Sequence, residues 1–85
     1  MPAKVFLVPK GLEKKIGKFP IRIQDRIDEA FGKIKDNPVV GFKLSGRLAD
    51  FYKFRVGDYR IIYTFSARES QVEVVKVEHR QGVYK

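Results

Sequence analysis

The apolar and polar positions between residues 50 and 63 follow the pattern of a β-hairpin. Apolar and cationic side chains alternate on both sides of Gly57-Asp58, and a glycine in the first central position favours a type II′ turn. Counting outward from this turn predicts that Arg55 faces Arg60. Because alternate side chains of a strand lie on opposite faces, one face should be apolar and the other cationic. The apolar face should carry Tyr52, Phe54, Val56, Tyr59, Ile61 and Tyr63, and the cationic face Lys53, Arg55 and Arg60.

The clearest helical pattern precedes the hairpin, from Pro20 to about Asp36. Its apolar residues recur at helical spacing and its charged residues lie opposite them, which predicts an amphipathic helix. Proline is tolerated in a first helical turn, and Asn37-Pro38 is expected to end the helix. The apolar face consists of Ile23, Ile27, Ala30, Phe31 and Ile34.

Shorter patterns predict the remaining elements. Residues 4–8 indicate a first strand, and residues 10–18 indicate a short helix that ends at a glycine. Residues 39–47 contain two glycines and are interpreted as a connection into the first hairpin strand near Leu48.

A third strand of the meander is predicted over residues 71–78. Its valines change parity, with Val72 and Val74 on one face and Val75 and Val77 on the other. This pattern is typical of a strand covered on both faces, so we expect a central position in the sheet.

Taken together, the elements predict an α+β fold: an N-terminal strand, two helices, then a three-stranded antiparallel meander, forming one sheet with the helices packed on one face. No repeat, low-complexity tract or linker interrupts the chain. Residues 1–85 are therefore interpreted as a single domain.

The composition narrows the classes of partner and of chemistry. A formal net charge of +8 on 85 residues favours nucleic acid, anionic lipid or an acidic protein as partner. The chain has no cysteine, which excludes disulfides and thiolate metal sites. Its apolar runs are too short to cross a bilayer, and no signal peptide is recognisable. We expect a cytoplasmic protein with no membrane partner.

The like-charged pair Arg55 and Arg60 has two interpretations. Directly opposed like charges destabilise a sheet by about 0.2–1 kcal/mol. Both side chains can extend into water, as long arginine side chains commonly do. Alternatively, Lys53, Arg55 and Arg60 form a site for a polyanion such as phosphate, whose charge relieves their repulsion.

Several classes of enzyme lack their motifs in this sequence. There is no phosphate-binding glycine loop and no serine nucleophile elbow, and one histidine without cysteine cannot form a common zinc site. No cofactor is expected. Cationic chemistry remains, such as RNA cleavage by attack of a ribose 2′-hydroxyl, which needs a proton acceptor, a proton donor and positive charge at the phosphate.

Three residues are candidates for the proton-transfer and base-binding steps. Lys53 can accept a proton if neighbouring cations disfavour its charged form, and His79 can do so without help. Tyr84 can stack on a base or donate a hydrogen bond. Each candidate also has a structural interpretation: a histidine at a strand end is commonly structural, Tyr84 can cover the edge of the core, and Arg80 can pair with Glu78 or Glu73.

Two segments resemble the RelE/ParE toxin superfamily, and specifically its RelE-type ribonuclease branch: KLSGRLADFYKFRVGDYRIIY at residues 43–63 and VEVVKVEHRQGVY at residues 72–84. The resemblance covers nearly the whole chain, weakly over residues 1–36 and strongly over residues 43–84. The combination of the two segments, ending in H-R-x-x-V-Y, makes it specific. It implies a RelE-like fold and a type II toxin–antitoxin toxin. Such a toxin is a ribosome-dependent mRNA interferase, a metal-independent endoribonuclease that cleaves messenger RNA in the ribosomal A site and inhibits translation.

The resemblance also implies roles for individual residues. Lys53 matches the family's hairpin-strand lysine, and Arg55 matches the basic position two residues further on. Arg60 matches the arginine that stabilises the transition state. Arg80 matches the arginine that protonates the leaving oxygen or binds the phosphate, and Tyr84 matches the base-stacking tyrosine.

One position departs from the family pattern. Some members have lysine where this chain has Arg55, and arginine does not deprotonate in proteins. The role of general base is therefore left open between Lys53 and His79. Lys43 and Arg47 are expected to bind RNA on the ribosome together with Lys53 and Arg55.

The implied partners are a cognate antitoxin, messenger RNA on the ribosome with ribosomal RNA contacts, and DNA indirectly through the antitoxin. Two alternatives remain open. One is a ParE-like inhibitor of DNA gyrase without nuclease activity, since those relatives share the fold. The other is an RNA-binding module with no activity.

Overall fold

Five strands form one mixed sheet, and two helices pack on one of its faces. The computed structural model describes residues 2–44 and 50–79. Across the sheet the strand order is β1-β5-β4-β3-β2, with β1 parallel to β5 and all other neighbours antiparallel. The elements in chain order are β1 (Val5–Leu7), α1 (Lys10–Ile16), α2 (Ile21–Asp36), β2 (Phe42–Lys43), β3 (Phe51–Val56), β4 (Tyr59–Ser66) and β5 (Gln71–His79).

The predicted α+β class is confirmed, but the strand count was wrong. Residues 42 and 43, expected to lie in a connection, pair with Lys53 and Tyr52 and add a fifth strand at the sheet edge. β3 begins at Phe51, and Leu48 lies outside the described residues.

Helix α2 has the predicted bounds and the predicted buried face. Pro20 stands immediately before its first residue, and Asn37 follows its last. Ile27, Ala30 and Ile34 are buried against the sheet. Asn37, which precedes Pro38, is no longer helical, as expected for the residue before a proline.

Helix α1 is shorter and ends at Ile16 with Gly17 as its C-cap. The Gly17 φ angle is −62°, so this helix end does not use the left-handed conformation available to glycine. Among the described helices, neither is long and apolar enough to cross a membrane.

The hairpin of β3 and β4 has the predicted register at every pair. Val56 faces Tyr59, Arg55 faces Arg60, and Tyr52 and Tyr63 are opposite each other with stacked rings. Gly57 has a φ of +58° while Asp58 is not left-handed, which matches the expected type II′ turn rather than type I′. The alternation of faces therefore follows the prediction.

The valine pattern of β5 has a different cause from the one expected. β5 does lie inside the sheet, between β1 and β4. However, Val75 is 45% exposed, so the strand is not covered on both faces. Ile62 pairs with Lys76 and the next residue, Tyr63, pairs with Val74, so Val75 is the extra residue of a β-bulge. Because the bulge shifts the alternation by one position, the valines before and after it face the same core.

The core fills the space between the helices and the apolar sheet face. Ala3 joins it from the N-terminal segment. The opposite face of the sheet has no helix over it among the described elements, which leaves the cationic side chains of the hairpin accessible. The buried core residues are Ala3, Ile16, Ile27, Ala30, Ile34, Tyr52, Val56, Ile61, Tyr63, Val72, Val74 and Val77.

Candidate functional site

A cleft of about 490 Å³ opens on the sheet face that the helices leave uncovered. The hairpin contributes Lys53, Arg55 and Arg60 to its lining. The segment leading into β2 contributes Val40 to Phe42 from the other side. Three side chains that the sequence placed on one face thus line a single concave surface, with an apolar wall beside them.

The sheet register arranges the polar side chains of this face in rows. One row runs from Arg55 in β3 to Arg60 in β4 and on to Glu78 in β5. The adjacent row runs from Phe42 through Lys53 and Ile62 to Lys76. Since directly opposed residues of antiparallel strands lie on the same face, cations of β3, β4 and β5 share this surface.

Arg60 forms an ion pair with Glu78 of the neighbouring strand. Its Nε lies 3.1 Å from Glu78 Oε1, and both side chains are only about a quarter exposed, at 25% and 27%. The contact is an ion pair rather than a hydrogen bond, because the buried Nε–H does not point along this line and has no hydrogen-bond partner among the described residues. Glu78 Oε2 also lies 3.9 Å from Lys76 Nζ.

The wall formed by residues 38–42 is fixed by a buried tyrosine. The Tyr63 hydroxyl donates a hydrogen bond to the Pro38 carbonyl oxygen at 2.7 Å and accepts one from the Gly41 N–H at 3.1 Å. Burial raises the pKa of the Tyr63 hydroxyl above its usual range, although the Gly41 hydrogen bond opposes this shift. The hydroxyl therefore stays protonated and available as a donor at neutral pH.

His79 and Lys43 do not join the cationic face. His79 pairs with Tyr59, whose side chain faces the helices, and their rings meet edge to face at 4.7 Å between centroids. Tyr59 in turn packs on Phe19. Lys43 pairs with the buried Tyr52, so strand alternation directs it to the helix side of the sheet.

Three predicted site residues lie outside the described residues: Arg47, Arg80 and Tyr84. Two others were missed by the sequence analysis. Phe42 was overlooked because its strand has only two residues, and Glu78 was considered only as one possible partner of Arg80. The pairing of Glu78 with Arg60 depends on the bulge in β5, which shifts the register between β4 and β5. The sequence gives no position for this bulge, so the pairing could not be predicted.

Comparison with known proteins identifies the family. Residues 12–84 match the model of the ParE toxin of the type II toxin–antitoxin system parDE. Toxin RelG of Mycobacterium tuberculosis is 34% identical over 70 residues, which cover 80% of each chain. This chain is a toxin of the RelE/ParE superfamily. The resemblance stated from its sequence motifs is thereby confirmed.

Solved structures show that this RelE/ParE toxin has a RelE-like fold. The RelBE2 toxin–antitoxin complex of M. tuberculosis matches with a TM-score of 0.78 and 29% identity, over 94% of this chain and 93% of the other. The archaeal RelE–RelB complex from Pyrococcus horikoshii matches with a TM-score of 0.76 and 22% identity, over 94% and 97%. The free-state Escherichia coli toxin RelE mutant matches with a TM-score of 0.78 and 15% identity, over 99% and 90%.

Proposed function

We propose that this toxin is a ribosome-dependent endoribonuclease that cleaves messenger RNA in the ribosomal A site and thereby stops translation. The observation that carries the proposal is the cleft lined by Lys53, Arg55 and Arg60. Two of these cations face each other across the hairpin at some cost in stability, a cost that a bound phosphate would offset. The resemblance to RelE-type toxins supports RNA as the source of that phosphate.

The reaction needs only groups that protein and RNA supply. The ribose 2′-oxygen attacks the adjacent phosphorus, a P–O2′ bond forms, and the P–O5′ bond breaks. The proton of the 2′-hydroxyl passes to a general base, and the departing 5′-oxygen receives a proton from an acid. The products are a 2′,3′-cyclic phosphate and a 5′-hydroxyl end.

The cations of the cleft act on the charge that builds at the phosphate. Negative charge on the phosphoryl oxygens increases as the fifth P–O bond forms, and fixed guanidinium groups stabilise that state more than the ground state. Arg60 is the best placed for this role, because the Glu78 carboxylate holds its Nε and leaves the terminal nitrogens for the phosphate. Arg55, exposed and directly opposite, supplies a second guanidinium.

Lys53 is the general base in this proposal. It lines the cleft, whereas His79 lies on the helix side of the sheet in contact with Tyr59. A neutral amine accepts a proton readily, whereas a guanidinium group does not deprotonate in proteins. Family resemblance assigns protonation of the leaving oxygen or phosphate binding to Arg80, and base stacking to Tyr84.

A cognate antitoxin of the RelB type is the proposed protein partner. Related toxins were solved as RelB–RelE complexes from P. horikoshii and Methanococcus jannaschii, with TM-scores to this chain of 0.76 and 0.70. A net charge of +8 favours an antitoxin segment rich in acidic residues. Co-expression with the adjacent reading frame should relieve growth arrest, and failure of both neighbouring frames to do so would contradict this partner.

The decisive experiment uses translating ribosomes on a defined messenger RNA. We expect the protein to produce cuts within the A-site codon, with 2′,3′-cyclic phosphate ends and no requirement for a divalent metal beyond that of the ribosome itself. The same RNA without ribosomes should remain largely intact. Intact messenger at every codon tested would exclude ribosome-dependent cleavage.

Inhibition of DNA gyrase is the second candidate function. It is favoured by the matching family model, which describes a ParE toxin. A supercoiling assay with purified gyrase distinguishes the two candidates, because inhibition of supercoiling together with intact messenger on ribosomes would favour this alternative.

A further inference from the structure

Phe42 displays an aromatic ring to solvent at the rim of the cationic cleft. The residue is 69% exposed, although phenylalanine is among the residues most often buried. It lines the same cleft as Lys53, Arg55 and Arg60. An apolar ring kept in water beside three cations needs an explanation that the fold itself does not provide, since Phe42 contributes little to the core.

The backbone under Phe42 is held rigidly. The residue pairs with Lys53 in the sheet, and the preceding residue, Gly41, is packed against the hairpin. A methyl group on Gly41 would lie 2.7 Å from the Tyr63 hydroxyl and 2.9 Å from the Lys53 carbonyl oxygen, closer than side-chain atoms approach. With the Gly41 N–H also bonded to Tyr63, the position from which Phe42 projects is fixed before any ligand binds.

The ring points to the face on which phosphate is proposed to bind. Phe42 and Lys53 are opposed in register and so share a face. The Lys53 Nζ lies 5.8 Å from the centroid of the Phe42 ring, within the range of a cation–π contact. A ring has two faces, and a ring that is 69% exposed retains surface for a second flat group.

We propose that Phe42 is a stacking platform for an unpaired RNA base, adjacent to the phosphate held by Lys53, Arg55 and Arg60. This inference rests on RNA being the ligand of the cleft. Aromatic side chains beside a basic groove bind single-stranded nucleic acid, because every base has a flat π surface and every nucleotide carries a phosphate. An apolar peptide would cover the ring but would offer no negative charge to Lys53, Arg55 and Arg60.

The first test uses the absence of tryptophan from the natural sequence. The Phe42→Trp variant carries one tryptophan, whose fluorescence is quenched when a base stacks on it. Titration with a short single-stranded RNA that is 2′-O-methylated, and so cannot be cleaved, should quench this signal strongly. Val39→Trp is the matched control, because Val39 is 56% exposed and is not among the described residues lining the cleft. Equal quenching in both variants would overturn the proposal.

The second test separates stacking from apolar contact by measuring affinity for the same RNA. Phe42→Tyr and Phe42→Trp should bind as tightly as the natural protein, whereas Phe42→Leu and Phe42→Ala should bind about tenfold more weakly. Thermal unfolding should be similar for all four, since the side chain is largely exposed. Full affinity of Phe42→Leu would exclude stacking. Loss of antitoxin binding with unchanged RNA affinity would assign the ring to the protein partner instead.

Cleavage on ribosomes distinguishes failure of this inference from failure of the proposed function. If the natural protein cleaves and Phe42→Leu cleaves at the same rate, the stacking role is excluded while the nuclease remains. If the natural protein does not cleave but Phe42-dependent RNA binding persists, the nuclease proposal fails and the base platform stands. If the natural protein neither binds the RNA nor cleaves, both proposals are overturned.

Discussion

Glu78 lies directly across the sheet from Arg60, and its carboxylate oxygen Oε1 is 3.1 Å from the Arg60 Nε. The same carboxylate reaches Lys76 through its other oxygen at 3.9 Å. A single acid thus sits beside the cation proposed to stabilise the transition state. It balances part of the positive charge in the absence of RNA, and it restricts the direction of the Arg60 side chain.

Replacing this acid should strengthen RNA binding. In the Glu78→Gln variant the side chain keeps its size but loses its negative charge, which no longer offsets the positive charge that Arg60 and Lys76 present to phosphate. We expect affinity for uncleavable RNA to rise about fivefold, corresponding to roughly 1 kcal/mol, with a steeper dependence on salt. Fluorescence titration at several salt concentrations measures both the affinity for RNA and its dependence on salt.

Glu73→Gln provides the control for Glu78→Gln, because it removes the same charge from the same strand. Glu73 is exposed and faces Thr64 rather than a cation. A similar gain in affinity in both variants would show that net charge, and not the contact with Arg60, controls binding.

Removing the Arg60 guanidinium should abolish most of the activity. Arg60→Gln is expected to lower the single-turnover cleavage rate on ribosomes by about 10²- to 10³-fold, as for other groups that stabilise transition-state charge. Arg68→Gln is the matched variant, because Arg68 lies exposed in the turn between β4 and β5, away from the cleft. Unchanged cleavage in Arg60→Gln would contradict the assigned role.

The Lys53→Arg variant tests whether Lys53 acts through its positive charge or by accepting a proton. Arginine keeps the positive charge but does not deprotonate, so RNA affinity should be nearly unchanged while the cleavage rate falls about 10²- to 10⁴-fold. His79→Asn should cleave at close to the natural rate. The opposite ranking of the two variants in single-turnover assays would transfer the role of general base to His79.

Tyr63 links the core to the wall of the cleft, so Tyr63→Phe tests the stability of that wall. The substitution leaves the Pro38 carbonyl and the Gly41 N–H without their hydroxyl partner. We expect the free energy of unfolding to fall by about 1–3 kcal/mol, measured by urea denaturation. Tyr52→Phe, on the adjacent strand, should have a smaller effect.

The same residue predicts a dependence on alkaline pH. Burial raises the pKa of Tyr63 in the folded protein, so above about pH 10 the folded state binds more protons than the unfolded chain. The free energy of unfolding should therefore fall as pH increases from about 10 through the folded pKa. Tyr63→Phe should lack this component, and parallel pH profiles for the two proteins would contradict it.

The hairpin turn can be tested at Gly57. This residue has a φ of +58°, and alanine in that conformation costs about 1–2 kcal/mol. Gly57→Ala should lower stability by that amount. Gly57→Asn should lower it less, because asparagine is among the residues commonly found in the central positions of type I′ and II′ turns. Equal stability of both variants and the natural protein would show that the turn has rearranged.

The parts of the fold that were predictable depend on local signals. Gly57-Asp58 sets the hairpin register, and the spacing of apolar residues between Ile23 and Ile34 defines the face of α2. The turn alone placed Arg55 opposite Arg60 without any structure. Each of these signals involves residues close together in sequence.

The parts that were missed depend on contacts between distant residues. β2 has only two residues, and it is held in place by the Tyr63 hydroxyl 22 residues away from Gly41. The Val75 bulge changes the alternation of β5, and it brings Glu78 to Arg60 while turning His79 toward Tyr59. No local pattern in the sequence reveals the bulge or the directions of the Glu78 and His79 side chains that depend on it.

The parallel pairing of β1 with β5 has a consequence for biosynthesis. The Lys4 N–H donates to the Ser70 hydroxyl oxygen across 66 residues, and Val5 pairs with Gln71 in the outermost ladder of the sheet. Among the described strands β1 is translated first, and it thus has no neighbour in the sheet until β5 has left the exit tunnel. Completion of the sheet, and with it the burial of Val72 beside Phe6, must therefore follow emergence of β5.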